Sequence, residues 1–388
     1  MHNAKLNRPG SAGTPSPTIA LCMIAGNEAS IIARCLDSAA SAFDKLCLVQ
    51  AVGEASADDT LDIARAWCIE NKKDYTLGTY RNKSYPDRAK LQHVDDFAAA
   101  RNLSFDLAFS AETPDWILWL DCDDYLDELN CRRIREAVRT APADWNGLFC
   151  SYLIEKHGAV IQRERLIRTG KGRWKNAIHE TCVIEGGPTR TGQCPQIEVY
   201  HSDHSAKHGS SAARNLAILE RVLEDAPRHY FYLHAELKML GKKEEAVRAA
   251  RAALQLLDAS QVEERYMIHL NLSELEPDHT MEHLLGAVRL QPHRREAFAY
   301  LCQKSLIDGD LSDAISYFRL MDALPLPSPL PWTHQGLWYG WARNFLRVRV
   351  LRASGKSEQA EKEHAEHLKD PEYAAGVEEF ERKQEVKS

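Results

Sequence analysis

Asp115-Trp116-Ile117-Leu118-Trp119-Leu120-Asp121-Cys122-Asp123-Asp124 is an apolar run of strand length that stops at three carboxylates. A short, almost wholly apolar run with bulky aromatics reads as a strand buried on both faces of a sheet. Carboxylates packed this closely repel one another, and folding alone has no use for them. A divalent cation removes the repulsion. Oxygen donors suit Mg²⁺ or Mn²⁺, ions commonly held by one or two carboxylates together with substrate phosphates. A solvated acidic turn after a core strand is the competing reading.

Upstream of this strand the chain alternates. Thr18–Ile24 reads as a first buried strand, followed by Ala25-Gly26-Asn27-Glu28 and a helical pattern from Glu28 to Ala40. Lys45–Val49 is a second strand, Gly53 opens a loop, and Asp58-Asp59-Thr60 starts a second helix. A third strand falls at Tyr75–Tyr80, and a helix from Asp96 to Phe109 leads into the organising strand. Alternating strands and helices imply a parallel α/β sheet, whose ligands sit beyond the carboxyl ends of the strands. Asn27-Glu28, the Gly53 loop and Asp121–Asp124 converge there.

Downstream, a helix over Asp127–Arg139 gives way to strand-like pieces at Gly147–Glu155 and Val160–Ile167. Arg163–Lys175 is dense in cations and reads either as a solvated basic hairpin or as a clamp on phosphate or an anionic acceptor. His179-Glu180 and His201-Ser202-Asp203-His204 each place imidazole beside carboxylate. From about Ala206 the pattern is helical throughout. Tyr230–Leu240, Gly241 and Glu244–Leu257 form a helix-turn-helix that resembles a tetratricopeptide repeat, and Ala297–Leu306, Gly309 and Asp313–Met321 repeat the theme. The expected divisions are a flexible tail (1–17), an α/β domain (18–205), a helical repeat domain (206–323), a Pro-rich linker (324–331), and C-terminal helices with a frayed tail (332–388).

Composition bounds what such a chain does. Its 388 residues suffice for two domains, 44% hydrophobic content supports a substantial core, and a net charge of -7 argues against a wholly nucleic-acid-binding surface. No apolar run reaches the roughly 18–20 residues of a membrane helix. Met1–Pro17, rich in Ser, Pro, Gly and Ala, does not read as a signal peptide. Nine of the ten cysteines lie between Cys22 and Cys194, none in a Cys-x-x-Cys pair, which favours buried free thiols and a cytoplasmic setting.

Over roughly Thr18 to Asp203 these residues resemble glycosyltransferase family 2, which has the GT-A fold. Leu21–Glu28 is similar to the family's opening strand and nucleotide-contacting loop. Asp96-Phe97-Ala98-Ala99-Ala100-Arg101-Asn102 resembles its Asp-Phe-x-x-x-Arg-Asn helix, and Asp121-Cys122-Asp123 its metal-binding Asp-x-Asp motif. Trp174 to His179-Glu180 is similar to the Trp-x-Gly-x-x-His-Glu element of one subgroup, with Asn176 in place of glycine. His201 falls where that subgroup often has a strand-end histidine before a helical extension. The family's base-contacting Asp at the end of the second strand is replaced by Ala51, which counts against a uridine nucleotide unless Glu54 or Asp58 takes its place.

The resemblance implies a GT-A-like α/β domain (mostly parallel sheet flanked by helices) followed by an all-α tetratricopeptide-like region. It implies an inverting, metal-dependent transfer from a nucleotide-sugar donor, a UDP-sugar first; the stacked helical repeats, an extended surface for another chain, and the acidic net charge favour a protein, peptide or glycan acceptor. Asn27, Glu28, Gly53, Glu54, Asp58, Asp96, Arg101, Asn102 and Asp121 are expected at the donor; Asp121, Asp123 and His201 at Mn²⁺ or Mg²⁺, with His179 and His204 as alternatives. Glu180 or Asp203 is the expected base, with Asp124 a rival. The competing readings are a transferase acting on a modified base in DNA, a nucleotidyltransferase or sugar-phosphate hydrolase, and a catalytically decayed domain serving as a scaffold.

Overall fold

A computed structural model describes residues 16–83, 91–109, 113–154, 159–202, 211–328, 331 and 333–385. The chain divides into two units, Met1–Gly209 and Ser210–Ser388.

The first unit is built on β1 (Ile19–Ala25), β2 (Lys45–Gln50), β3 (Asp74–Thr79), β4 (Trp116–Trp119), β5 (Asp124–Tyr125), β6 (Gly147–Ile154), β7 (Ala159–Arg168) and β10 (Thr191–His201), with β8 (Gly172–Lys175) and β9 (Thr181–Ile184) forming a separate hairpin. The large sheet runs β3-β2-β1-β4-β7-β6-β10-β5. Its first four strands are parallel, β7 opposes both β4 and β6, and β10 runs parallel to β6.

The period-two alternation of strand side chains sorts the core into two layers. Ile19, Leu21 and Met23 of β1, with Trp116 and Leu118 of β4, meet α1 (Ile32–Ala39), α2 (Thr60–Glu70) and α4 (Glu128–Thr140) through Leu36, Trp67 and Ile134. Ala20, Cys22, Ile117 and Trp119 face the other way, toward Ala98 and Phe105 of α3 (Phe97–Asp106) and Trp174 and Cys182 of the hairpin. Both faces being covered explains why β4 reads as an unbroken apolar run. Burying each such side chain contributes about 1.5–3 kcal/mol. All ten cysteines are buried and unbridged.

The second unit is all helix: α5 (Ser211–Val222), α6 (Arg228–Met239), α7 (Lys243–Leu256), α8 (Val262–Leu275), α9 (Thr280–Leu290), α10 (Arg295–Asp308), α11 (Leu311–Ala323), α12 (Trp341–Ala353), α13 (Ser357–His367) and α14 (Pro371–Glu385). Successive helices pack as pairs: α6 on α7, α8 on α9, α10 on α11. The architecture expected from the sequence, an α/β unit followed by an all-helical region, is the one observed. Trp338 belongs to a 3-10 turn before α12, and the Glu/Lys-rich end forms α13 and α14, with Tyr373 and Val377 buried against Phe345.

Candidate active site

β4 ends at Trp119, and the chain turns at once. The Asp124 backbone N–H donates to Asp121 O (3.1 Å) while Asp124 Oδ2 accepts from the Asp121 N–H (3.0 Å). This closes a turn with Cys122 buried and Asp123 at its tip. The backbone oxygen of Asp123 accepts from the N–H (3.1 Å) and Oγ (2.9 Å) of Ser202, so the end of β10 is stitched to the turn.

The three carboxylates have different surroundings. Arg101 NH2 lies 2.8 Å from Asp121 Oδ1, and Arg101 Nε donates to Glu180 Oε1 at 2.7 Å, so one guanidinium joins β4's end to the hairpin loop. Burial alone would raise the Asp121 carboxyl, but the Arg101 and Arg165 charges hold it below the usual carboxylate value. Asp124 is fully buried against Arg165 NH1 (3.0 Å) and the Tyr152 hydroxyl (3.0 Å). The Asp123 carboxylate has no arginine partner among the described residues; beside it stands the His201 imidazole, with Nδ1 3.5 Å from Asp123 Oδ1 and 3.2 Å from Asp124 Oδ1. Burial and the charge of Asp121 push its carboxyl up to about 6. His201 is shifted upward, chiefly by its hydrogen bond to Asp124.

Aromatic rings fix the arginines. The Arg101 guanidinium carbon is 4.9 Å from the Trp119 ring and 5.0 Å from the Trp174 ring; that of Arg165 is 3.9 Å from Trp119 and 4.2 Å from Tyr152. Cations held over aromatic faces in this way lose little entropy on meeting a carboxylate. Arg165, Tyr152, Trp119 and Ser202 were not singled out by the sequence reading. Arg165 falls where the β6–β7 register shifts, between Leu166 opposite Leu148 and Glu164 opposite Phe149, a position that strand alternation does not mark.

The remaining sequence candidates occupy scaffold positions around this centre. Asn102 exchanges two hydrogen bonds with the Trp174 backbone (2.9 Å each), holding the hairpin on α3. Asp96 caps α3 by accepting from the Ala99 N–H at 2.8 Å and pairs with Lys83. Asn27 donates to Ser56 O (2.9 Å) and accepts from the Asp58 N–H (3.0 Å), and the Glu28 N–H donates to Thr60 Oγ1. Asp58 accepts from the N–H groups of Ala29 and Thr60 and from Thr60 Oγ1, which outweigh burial and keep its carboxyl low. Gly53 has φ +64°, and a Cβ there would lie 2.2 Å from His93 O, so only glycine fits. Glu54 is exposed, its N–H bonded to Leu91 O. Ala51 is buried. Asp203 and His204 lie outside the described residues.

Asn176 explains one departure from the family pattern. Its φ is +70°, the left-handed region where glycine is the default and asparagine the usual substitute. His179, three residues on, has φ +50°. The basic segment Arg163–Lys175 divides: its β7 part reaches inward, while Arg173 and Lys175 of β8 are exposed, as a solvated hairpin would have them. Arg165 is buried on Asp124, Arg168 donates to Trp145 O (2.7 Å), Lys171 pairs with Glu185 and Arg173 with Asp106.

The donor set at the turn is of the type that takes a hard divalent ion: Asp123, Asp124 and His201 each offer a ligand atom within 4.8 Å of the others. The unneutralised Asp123 carboxyl, raised by its neighbours, fits the same group.

No family model matches the chain. Over 247 residues it is 24% identical to the SPbeta prophage-derived glycosyltransferase SunS of Bacillus subtilis (strain 168), covering 61% of this chain and 53% of that protein; the glycosyltransferase SunS of Bacillus phage SPbeta gives the same figures. The chain thus spans about half the length of the curated relatives it matches. Among solved structures, the Pyrobaculum calidifontis mannosyltransferase PcManGT, in complex with GDP-Man and Mn²⁺, aligns over 88% of this chain and 87% of its own, at 14% identity and TM-score 0.39. The tetratricopeptide protein YrrB aligns over 43% of this chain and 84% of its own, at 18% identity and TM-score 0.32. No helix among the described residues is long and apolar enough to cross a membrane.

Proposed function

We propose that this chain is an inverting glycosyltransferase that moves a sugar from a nucleotide-sugar donor to a protein or glycan acceptor. The observation that carries the reading is the single guanidinium of Arg101, which brings Glu180 and Asp121 together two residues from the open carboxylate of Asp123. The likeness to proteins named glycosyltransferases supports it. We assign 18–205 to the transferase domain, 206–323 to the helical repeats, 324–331 to the linker and 332–388 to the C-terminal helices.

Asp123 and His201 would hold Mn²⁺ or Mg²⁺, which when bound supplies Lewis-acid neutralisation of the departing diphosphate. Asp121, anchored by Arg101, keeps the turn in register with α3 and adds negative charge beside Asp123. Asn27, Asp58 and Gly53 shape the loops at the carboxyl ends of β1 and β2, where the nucleotide would lie. Glu54, whose side chain is exposed, is the candidate in place of the absent second-strand carboxylate, because Asp58 is already saturated with donors. Glu180, 14% exposed, takes the proton from the acceptor hydroxyl as that oxygen attacks the anomeric carbon and the bond to the diphosphate breaks. Arg101 orients it. Asp203 is the alternative base.

Glu180→Gln tests the assignment. It preserves shape and removes basicity, so donor binding survives while transfer falls at least about a hundredfold. An inactive Asp203→Asn beside an active Glu180→Gln would exchange the two roles.

A further inference from the structure

Asp124 follows Asp123 directly, yet it is built for a different task. Its Oδ1 faces the Tyr152 hydroxyl (3.0 Å) and His201 Nδ1 (3.2 Å); its Oδ2 faces Arg165 NH1 (3.0 Å) and the Asp121 N–H (3.0 Å). A carboxylate offers about four lone-pair sites, and here four donor groups face them. With no exposure at all, Asp124 has nothing left for a substrate proton or a metal ion, although its position in the Asp123, Asp124, His201 group invites both readings.

The other side of the contact fixes the histidine. The two oxygens facing His201 Nδ1 both belong to carboxylates, Asp124 at 3.2 Å and Asp123 at 3.5 Å. A carboxylate only accepts, so Nδ1 carries the hydrogen, and the neutral ring holds its electron pair on Nε2. Asp124 cannot swing away, because Arg165 is itself wedged between Trp119 and Tyr152. Strand pairing sets the distance, since Asp124 of β5 is the register partner of His201 in β10.

We propose that Asp124 is a positioning residue: clamped by Arg165 and Tyr152, it fixes His201 as the Nδ1–H tautomer and leaves Nε2 as the nitrogen that meets a divalent cation. The role of Nε2 rests on the functional reading above; the tautomer does not. Histidine ligands held this way by a carboxylate typically lose ten- to a hundredfold in metal affinity when that carboxylate is changed.

Asp124→Asn makes a sharp contrast. Arg165 and the Asp121 N–H both need an acceptor, so the amide oxygen faces them and the NH₂ faces His201. Nδ1 must then accept, and the ring switches to the Nε2–H form. The full chain, labelled with ¹⁵N at histidine and free of metal, is examined by long-range ¹H–¹⁵N correlation at alkaline pH, with the His201 signals identified by their loss in His201→Gln. The wild type is expected to show Nδ1–H and Asp124→Asn to show Nε2–H, with Mn²⁺ affinity of the variant reduced ten- to a hundredfold by titration. A wild-type ring that is mainly Nε2–H overturns the proposal, and this measurement stands even where the variant fails to fold. A folded variant that keeps Nδ1–H, or binds Mn²⁺ as tightly as wild type, overturns it as well. A wild type with the Nδ1–H ring that does not bind Mn²⁺ contradicts the metal role and leaves the tautomer assignment standing.

Discussion

Asp123 is held at the tip of its turn at some cost in stability, since its carboxyl is raised to about 6 by burial and by the neighbouring Asp121 charge. Removing that charge relieves repulsion and leaves no buried cation unpaired. Asp123→Asn is therefore expected to melt no lower than wild type without metal, measured at neutral pH, while losing turnover. A clear drop in melting temperature would mean the carboxylate is a structural member of the turn. Asn176 offers a second test at this scale. With φ +70°, Asn176→Gly should be near neutral, whereas a β-branched Asn176→Val should cost about 1–2 kcal/mol by denaturant titration. Equal stability of the two variants would remove the backbone argument. The acidic turn was legible because carboxylates at the end of an apolar run need a reason. Arg165 was not, because a cation inside a basic stretch looks solvated until its partner, Asp124, is known to face it across the sheet.

At the scale of elements, strands buried on both faces and helices with a single apolar stripe were readable, while α8 was not. Its buried Glu264, Tyr266, Ile268, Leu270 and Leu272 recur at every second position, a strand-like rhythm that a helix adopts only when neighbours cover opposite sides. The β8–β9 hairpin was likewise hidden, because its four-residue strands are held by Asn102 of α3 and not by a turn signal of their own. The contact between α6 and α8 makes a pH prediction. His234 is fully buried in α6, and its Nε2 accepts from Asn271 Nδ2 at 2.9 Å. Burial holds the ring down at about 4. The unfolded chain thus takes up the proton first, so the stability is complete above the ordinary imidazole value and is lost as pH falls toward about 4. Linkage puts the effect at about 3 kcal/mol for this one group. His269, lowered to about 4 chiefly by burial, acts in the same direction. Melting temperature should fall between pH 7 and pH 5, and His234→Gln should flatten the slope. An unchanged slope would place the acid sensitivity elsewhere.

At the scale of the whole molecule, surface charge bears on the proposed acceptor. The arginines of α12 are engaged within the helical unit: Arg343 with Asp322 (2.5 Å), Arg347 with Glu363 (2.7 Å), Arg352 with Glu361 (2.8 Å), and Arg349 over the Phe380 ring. Together with a net charge of -7, this supports the proposed protein or glycan acceptor over nucleic acid. Gel-shift titration with duplex DNA should show weak binding at low salt; tight binding that falls steeply with salt would reverse the preference. The central claim is that the Asp121–Asp123 turn receives a nucleotide sugar through a divalent ion, and the most direct test is thermal denaturation of the intact chain against a series of nucleoside diphosphate sugars with and without Mn²⁺. Binding to the native state raises the melting temperature by mass action. The account predicts a rise for at least one nucleotide sugar that requires Mn²⁺ and is absent in Asp123→Ala; a rise that is independent of Mn²⁺ and persists in Asp123→Ala would contradict it.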